Sequence, residues 1–524
     1  MTAQPAASRV VPVLVAGGGP AGLAAAAELA LHGIECVVVE SRPQVSHRRP
    51  RAKTTSVRTM EHLRRWGLAG PLRAAAPLKV AWSQRVTFCE SLSGRRITDF
   101  EGAFGLTTQR DDRFAESGQQ APQPVVEEVL RNHLRTLPGV SLRLGHAVTA
   151  LAQDDDGVTV TARDPGGAAY RLRARYVLGC DGAGGVVRDL VGAQYVGRSD
   201  PRPNFNVVFR ARGLDTHLGP AVQYWVVGGP TTGLIGRLDL AGTWWAVLPG
   251  VEAGYGTAHA SELIAALVGA PSEHEVLATD PWTARMQIAD SFGRGRVFLV
   301  GESAHVNPPW GGHGFNTSVG DAVNIAWKIA AVEHGWAAPG LLASYEDERR
   351  GVVGQTVASA EANMRALAGD LPADAEVIQQ LKRPEFHSLG LVLGYSYAGS
   401  PVIQPSAGPG PAPDPTSYTP SADPGARLPH AWLPDGTSLY DQLGTGFTVL
   451  GPVRDEPAAT AALAGRARGL GIPLALREPP QDYPWRDEFL LVRPDQHIAW
   501  RAADPASIDL EVVTGCSTPA SDRA

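Results

Sequence analysis

Near the amino end, Gly17-Gly18-Gly19-Pro20-Ala21-Gly22 has the spacing GxGxxG, set between an apolar run, Val10 to Ala16, and an Ala/Leu-rich segment, Pro20 to His32. Glycines so spaced allow a tight turn and let backbone approach a pyrophosphate, while the helix that follows offers N–H donors and positive partial charge. The next apolar run, Ile34 to Glu40, ends in a carboxylate 23 positions after Gly17, where ribose hydroxyls need an acceptor. These residues point to dinucleotide binding through Gly17, Gly19, Pro20, Ala21, Gly22 and Glu40. The bland alternative is a glycine turn with a solvent-facing glutamate. The motif does not separate a nicotinamide dinucleotide from FAD, because the adenosine diphosphate half is common to both.

Two later stretches bear on that choice. Arg175 to Arg188 reads RYVLGCDGAGGVVR, a strand closing on Asp181-Gly182, and Arg296 to Thr317 reads RVFLVGESAHVNPPWGGHGFNT, running into SVGDAVNIAWK. In the second, glycines let backbone N–H groups approach a flat ring, and the positive end of the following helix would favour negative charge developing on it. That helix is expected from Ser318 to about His334, with Ser318 and Asp321 fitting a capping box. Together the three stretches resemble the class A flavoprotein aromatic hydroxylases, the para-hydroxybenzoate hydroxylase type, over roughly residues 9 to 350.

The resemblance implies roles residue by residue. Gly17, Gly19 and Gly22 would hold the FAD pyrophosphate and Glu40 the adenosine ribose. Gln123, in PQPVVEEVLR, and Arg131 on the same helix would lie near FAD, and Asp181 would serve flavin and nicotinamide handling. Arg51, in RPRAKTTSVRTMEHLRRWG, would stand near the phosphates, against the alternative of a solvated basic run from Arg48 to Lys53. Glu302 replaces the family's aspartate, whose carboxylate accepts from a ribityl hydroxyl, and its removal should weaken FAD retention. Pro309, Gly312, Gly314, Phe315 and Asn316 would meet the flavin ring. On the substrate side the candidates are His313, Trp310, Tyr224 and Trp225, with Trp244 and Trp245 in the same sheet; otherwise these strand aromatics are sheet packing. His305 reads as a hydrogen-bonded loop histidine before a proton shuttle.

The elements that must position these groups follow from pattern. The first forty residues form a strand-helix-strand unit. Short strands from Leu78 to Arg113, a helix from Val125 to Leu137, hairpins from Val140 to Gly179 and aromatic strands from Phe205 to Leu248 suggest a chain that leaves the first domain and returns. The expected fold is α/β: a Rossmann-like FAD-binding domain (1–78, 115–187 and 284–398), an inserted antiparallel-sheet substrate domain (79–114 and 188–283), and a C-terminal unit at 425–524. Residues 401–424 hold eight prolines in 24 positions, so 399–424 reads as a linker or strap. Beyond it, HAWLPDGTSLYDQLGTGFTVL and FLLVRPDQHIAW resemble the thioredoxin-like C-terminal domain of phenol and polyketide hydroxylases. Thioredoxin chemistry needs two thiols, and Cys516 is alone there, so that domain is expected to be redox-silent.

Composition narrows the function classes. With 524 residues, 44% apolar and 19% charged, the chain reads as a multidomain globular protein, and a net charge of -6 offers no footprint for nucleic acid or an anionic membrane. Four scattered cysteines show no CxxC pair and no metal-ligand spacing, and neither a signal peptide nor a long apolar span is visible, which predicts a cytoplasmic protein. The expected function is an NAD(P)H-consuming, FAD-dependent monooxygenase hydroxylating a bulky phenolic or polyketide substrate with dioxygen. The resemblance routes this through a C4a-hydroperoxyflavin. NADPH is preferred to NADH as a transient co-substrate, since one dinucleotide fingerprint is visible; a homodimer is left open. The rivals are Baeyer–Villiger insertion on a polycyclic ketone, a non-catalytic flavoprotein sequestering an aromatic compound, and a nicotinamide dehydrogenase.

Overall fold

Continuous Val-rich runs suit strands covered on both faces, and Val13 to Ala16 and Cys36 to Val39 are all buried. The computed structural model describes residues 10–47, 53–229, 231–368, 371–405 and 414–517, without the side chains of 367 and 368. Its first sheet runs Gly293–Arg294, Val297–Leu299, Ala169–Gly179, Val10–Ala16, Cys36–Glu40, Val140–Leu144, with the four inner pairings parallel. The strands Ala147–Asp154 and Gly157–Arg163 extend it as an antiparallel hairpin. Helix Pro20–Leu31 is buried from Ala21 to Leu29 because small alanines let it lie between this sheet and helix His313–Glu333.

The second sheet has eight strands, in the order His305–Val306, Glu275–Ala289, Tyr195–Arg210, Thr243–Pro249, Gly233–Arg237, Gln223–Val226, Val86–Cys89, Arg96–Phe100. All its pairings are antiparallel except that of Gln223–Val226 with Val86–Cys89. The alternation of strand side chains gives it two distinct faces. One carries Tyr224, Ile235, Ala246 and Trp244 into a core closed by helix Ala260–Val268. The other carries Trp225, Leu234 and Val247 toward Trp310, Phe386 and the first domain.

The third sheet, Leu474–Arg477, Phe447–Leu450, Phe489–Val492, Ile498–Ala502, has one parallel pair joined through helix Pro457–Gly469 and two antiparallel pairs, the thioredoxin-like order. Cys516 is exposed and has no second thiol near it in this domain. The domain shares a core with the rest of the chain: Phe447, Val449, Phe489 and Leu491 pack with Trp327, Trp336 and Val352. The described flanks of the proline-rich segment lie along it, with Tyr397, Val402 and Ile403 buried in that core and the Gln404 N–H donating to the Ala499 carbonyl. No helix among the described residues is long and apolar enough to cross a membrane.

Candidate active site

The glycine-rich turn meets two different steric demands. Gly17 has φ of +109°, and a Cβ there would lie 2.3 Å from the Cys180 carbonyl oxygen. A Cβ on Gly22 would lie 1.9 Å from the Gly17 oxygen, whereas one on Gly19, the N-cap of helix Pro20–Leu31, would meet nothing within 4 Å. The outer glycines are therefore demanded by packing, and the middle one keeps clear the space over the helix N-terminus where a pyrophosphate is stabilised. Glu40 is fixed beside it: Oε2 accepts from the Gly18 N–H at 2.6 Å, and Oε1 from the Arg42 N–H and Nε, both at 2.8 Å.

Arg131 donates through Nη2 to the Gly18 carbonyl at 3.3 Å, and its Nε is buried without a partner. Gln123 opens the same helix, Gln123–Leu134, and donates to Glu127 at 2.8 Å. Gln120 and Thr55, on the short paired strands Gln119–Gln120 and Thr54–Thr55, are buried with side-chain oxygen and nitrogen atoms that have no protein partner. Buried polar groups without partners are rare in folded proteins and suit contact with a ligand. Gln120 had no signal in the sequence beyond its closeness to Gln123. Arg51 lies outside the described residues.

The second and third stretches reach the first directly. The Cβ position at Gly17 presses on the Cys180–Asp181 backbone, and that at Gly301 would lie 3.1 Å from the Ala21 Cβ and 2.9 Å from Ser318. Ser303 Oγ donates to Asp181 Oδ1 at 3.0 Å and accepts the Gly182 N–H at 3.1 Å. Burial raises the Asp181 carboxyl above its ordinary range, against hydrogen bonds from the Val187 N–H and Ser303 that favour its charge. All three stretches thus close together at the C-terminal ends of three adjoining strands of the parallel sheet.

Glu302 is exposed on the turn Gly301–Ser303, where its carbonyl accepts from the Tyr195 hydroxyl. The buried acid beneath this turn is Asp321, which accepts the Gly301 N–H at 3.2 Å, His305 Nε2 at 2.7 Å and Arg349 Nε at 2.7 Å. Burial opposes its charge, but Arg349 and His305 hold its carboxyl below the usual carboxylate range.

One expectation is corrected here. The helix starts at His313, five residues before Ser318, so Ser318 and Asp321 lie inside it and form no capping box. The break is made by Gly311 and Gly312, both at positive φ, with Gly312 as N-cap. Ser318 Oγ instead donates to the Gly314 carbonyl at 2.8 Å within the helix. Asn316 ties this helix start to the segment Thr54–Ser56, accepting the Ser56 N–H at 2.9 Å and donating to the Thr54 carbonyl at 3.1 Å. Phe315 packs against the first core, Pro309 is exposed, and Gly314 faces Asn307. His313 is buried, its Nε2 has no partner, and burial pushes its imidazole down to about 4. A small cavity, of about 20 Å³, lies between Thr54, Phe104, Gly311, His313 and Leu389.

The substrate-side candidates separate by face. Trp225 and Trp310 approach to 5.9 Å between ring centroids, and Trp282 lies 6.4 Å from Trp310. Tyr224 points the other way and donates its hydroxyl to the Gly219 carbonyl. Trp244 shares its side, while Trp245 shares the side of Trp225 and presents a buried, unpartnered indole N–H. The near face thus carries an aromatic wall that meets Trp310, three residues before the helix start at His313.

A family model described as "FAD binding domain" matches residues 10–360, and one described as "Aromatic-ring hydroxylase, C-terminal" matches residues 421–515. The chain belongs to the FAD-dependent aromatic-ring hydroxylases. It is 31% identical to a 2,4-dichlorophenol 6-monooxygenase of Delftia acidovorans over 94% of each chain. Among solved structures it is similar to the rebeccamycin biosynthetic enzyme RebC with reduced flavin, at 30% identity and a TM-score of 0.87, covering 98% of this chain and 100% of that one. An aklavinone-11 hydroxylase in complex with FAD and aklavinone aligns at 29% identity and a TM-score of 0.82, over 96% and 99% of the two chains. FAD is the cofactor of this family, and the unpartnered groups of Thr55, Gln120, Arg131 and His313, with the open space at Gly19, fit it.

Proposed function

We propose that the chain is an FAD-dependent monooxygenase that consumes NAD(P)H and dioxygen and hydroxylates a bulky aromatic substrate of the phenolic or polyketide class. The observation that carries the reading is the closing of three distant stretches, at Gly17–Gly22, Asp181–Gly182 and Gly301–Asn316, at the C-terminal ends of three adjoining strands, with Trp310 of the third stretch packed near Trp225 of the substrate sheet. The names of its relatives, a chlorophenol monooxygenase and an aklavinone hydroxylase, support the substrate class. The free thiols of Cys36, Cys89, Cys180 and Cys516 suit a reducing cytoplasm.

When bound, FAD supplies electron transfer from the nicotinamide and activation of dioxygen. The protein binds, orients and excludes water. Gly17, Gly19 and Gly22 with the first helix N-terminus hold the pyrophosphate, Glu40 the ribose, and Gln123 and Arg131 stand beside them. Asp181, Glu302 and the turn from Pro309 to Asn316 hold the flavin end. His313 is neutral at neutral pH, so it offers a hydrogen bond without charge. Trp225, Trp282 and Trp310 present an apolar surface that keeps water from the reacting centre.

The reading is tested by purification and a visible spectrum, followed by NADPH consumption and product mass with phenols and aromatic polyketides. A flavin spectrum, substrate-stimulated oxidation of NADPH and products heavier by one oxygen are expected. A colourless protein that FAD cannot reconstitute overturns it.

A further inference from the structure

Lys53 leaves the first domain and ends on the near face of the substrate sheet. Its Nζ donates to the Val222 carbonyl at 2.6 Å and lies 5.0 Å from the centroid of the Trp245 ring. Among the described residues no carboxylate pairs with it, and its one acceptor is that carbonyl, which leaves two of its three N–H donors unanswered there. Gly236 stands opposite Trp245 in the sheet. The point where a Gly236 side chain would begin lies 3.0 Å from Trp245 Nε1, 3.2 Å from the Val222 oxygen and 3.3 Å from Lys53 Nζ. Trp245 Nε1 is buried and unpartnered. The Lys53 ammonium and the Trp245 indole N–H, both with donors to spare, therefore stand close together over a glycine of the sheet, on the same face as Trp225 and Trp282.

We propose that Lys53 and Trp245 form a substrate-anchoring subsite that receives a phenolic oxygen of the aromatic substrate. This deepens, and rests on, the monooxygenase reading. An oxygen there accepts from both nitrogens, and a phenol can donate to the Val222 carbonyl. Burial pushes the Lys53 ammonium down to about 7, so near neutral pH a fraction is amine. Only a phenol about as acidic as the Lys53 ammonium gives up its proton to that amine: one O–H bond breaks, one N–H bond forms, and the bound pair is phenolate and ammonium. An ordinary phenol, at about 10, keeps its proton and donates the O–H to the amine nitrogen. A phenolate ring is richer in electrons than a phenol, which suits attack by electrophilic oxygen. The other charged groups at this face are Asp280 on strand Glu275–Ala289, His313 at its helix start, and Lys382, which lies over the Trp225 ring and pairs with Glu385 at 2.9 Å. A charged hydrogen bond at a desolvated site favours the phenol over its ether by about tenfold to a hundredfold.

The experiment measures binding of 2-naphthol and 2-methoxynaphthalene to the purified full chain by fluorescence, from about pH 6 to about pH 9, with FAD content recorded separately. We expect at least about tenfold preference for the naphthol and a proton-linked step in that preference near the Lys53 value. Lys53→Met, and independently Gly236→Ala, whose methyl would press on both nitrogens and leave the lysine in the chain, should both reduce the preference to less than about twofold with FAD retained. Lys53→Arg should keep the preference and lose the step, because a guanidinium does not give up its proton in this range. A wild-type chain that binds the phenol no better than the ether overturns the subsite, as does a preference that survives both Lys53→Met and Gly236→Ala. Loss of the monooxygenase reading shows differently, as a chain that never takes up FAD.

Discussion

Two regions of this molecule bury charge in opposite ways. Where the C-terminal sheet meets the FAD-binding part, opposite charges answer one another: Arg427 Nη2 and Arg58 Nη1 converge on Glu61, and Arg493 makes a bidentate contact with Glu348, which also takes Lys328 at 2.7 Å. At the flavin edge and the near sheet face, Lys53, His313, Gln120, Arg131 and Trp245 keep donors or acceptors without protein partners. A buried charge stripped of its partner is costly, so the answered set is a device for holding domains together. The unanswered set makes sense only with something bound.

The comparison is broken most sharply by removing an answer. Glu61→Leu leaves Arg58 and Arg427 buried together and should cost about 3–5 kcal/mol of stability, read from urea unfolding. Little loss would mean that the inter-domain charges are as dispensable as surface pairs.

An unanswered group should instead reveal itself by titration. The folded value of His313 lies below its unfolded one, so the unfolded chain binds the extra proton between about pH 6.5 and about pH 4. Its contribution is complete above the unfolded value and is lost as acid is added, by about 3 kcal/mol across that window. His313→Asn should flatten this part of the stability profile relative to wild type. An unchanged slope removes His313 from the unanswered set.

Smaller effects sharpen the same contrast at the flavin edge. Gly19→Val projects a side chain into open space from an extended backbone, so stability should hold while FAD affinity falls by about tenfold or more, measured by flavin release on dilution. Glu302→Ala should lower FAD retention by a few-fold, under about 1 kcal/mol, since the carboxylate is exposed. Full flavin after extensive dialysis would remove Glu302 from the site.

Much of the fold was legible, because strand runs, glycine turns and the alanine-rich helix are local patterns. The strand-helix-strand unit, the third sheet and the flavin-edge glycines all stand where local spacing puts them. The helix start at His313 was misplaced because Ser318 and Asp321 imitate a cap, while the break is made by two glycines at positive φ upstream. Lys53 was hidden in a basic run that composition reads as solvated. Its acceptor, the Val222 carbonyl, is 169 residues away in sequence, and only tertiary packing joins them. The alternation that sends Tyr224 away from Trp310 and Trp225 toward it also requires knowing which face of the sheet is covered by the other domain.

The Arg427–Glu61 and Arg493–Glu348 contacts bear on how such enzymes can be recombined. The terminal hundred residues of this chain are not a free cassette, because they carry Arg427 and Arg493, whose counter-ions sit on helices Val57–Arg65 and Gly340–Ala368. A workable chimaera must move both halves of each pair, and with them the tryptophans that Phe447 packs upon. In this chain a change to either half of such a pair calls for a matching change in the other.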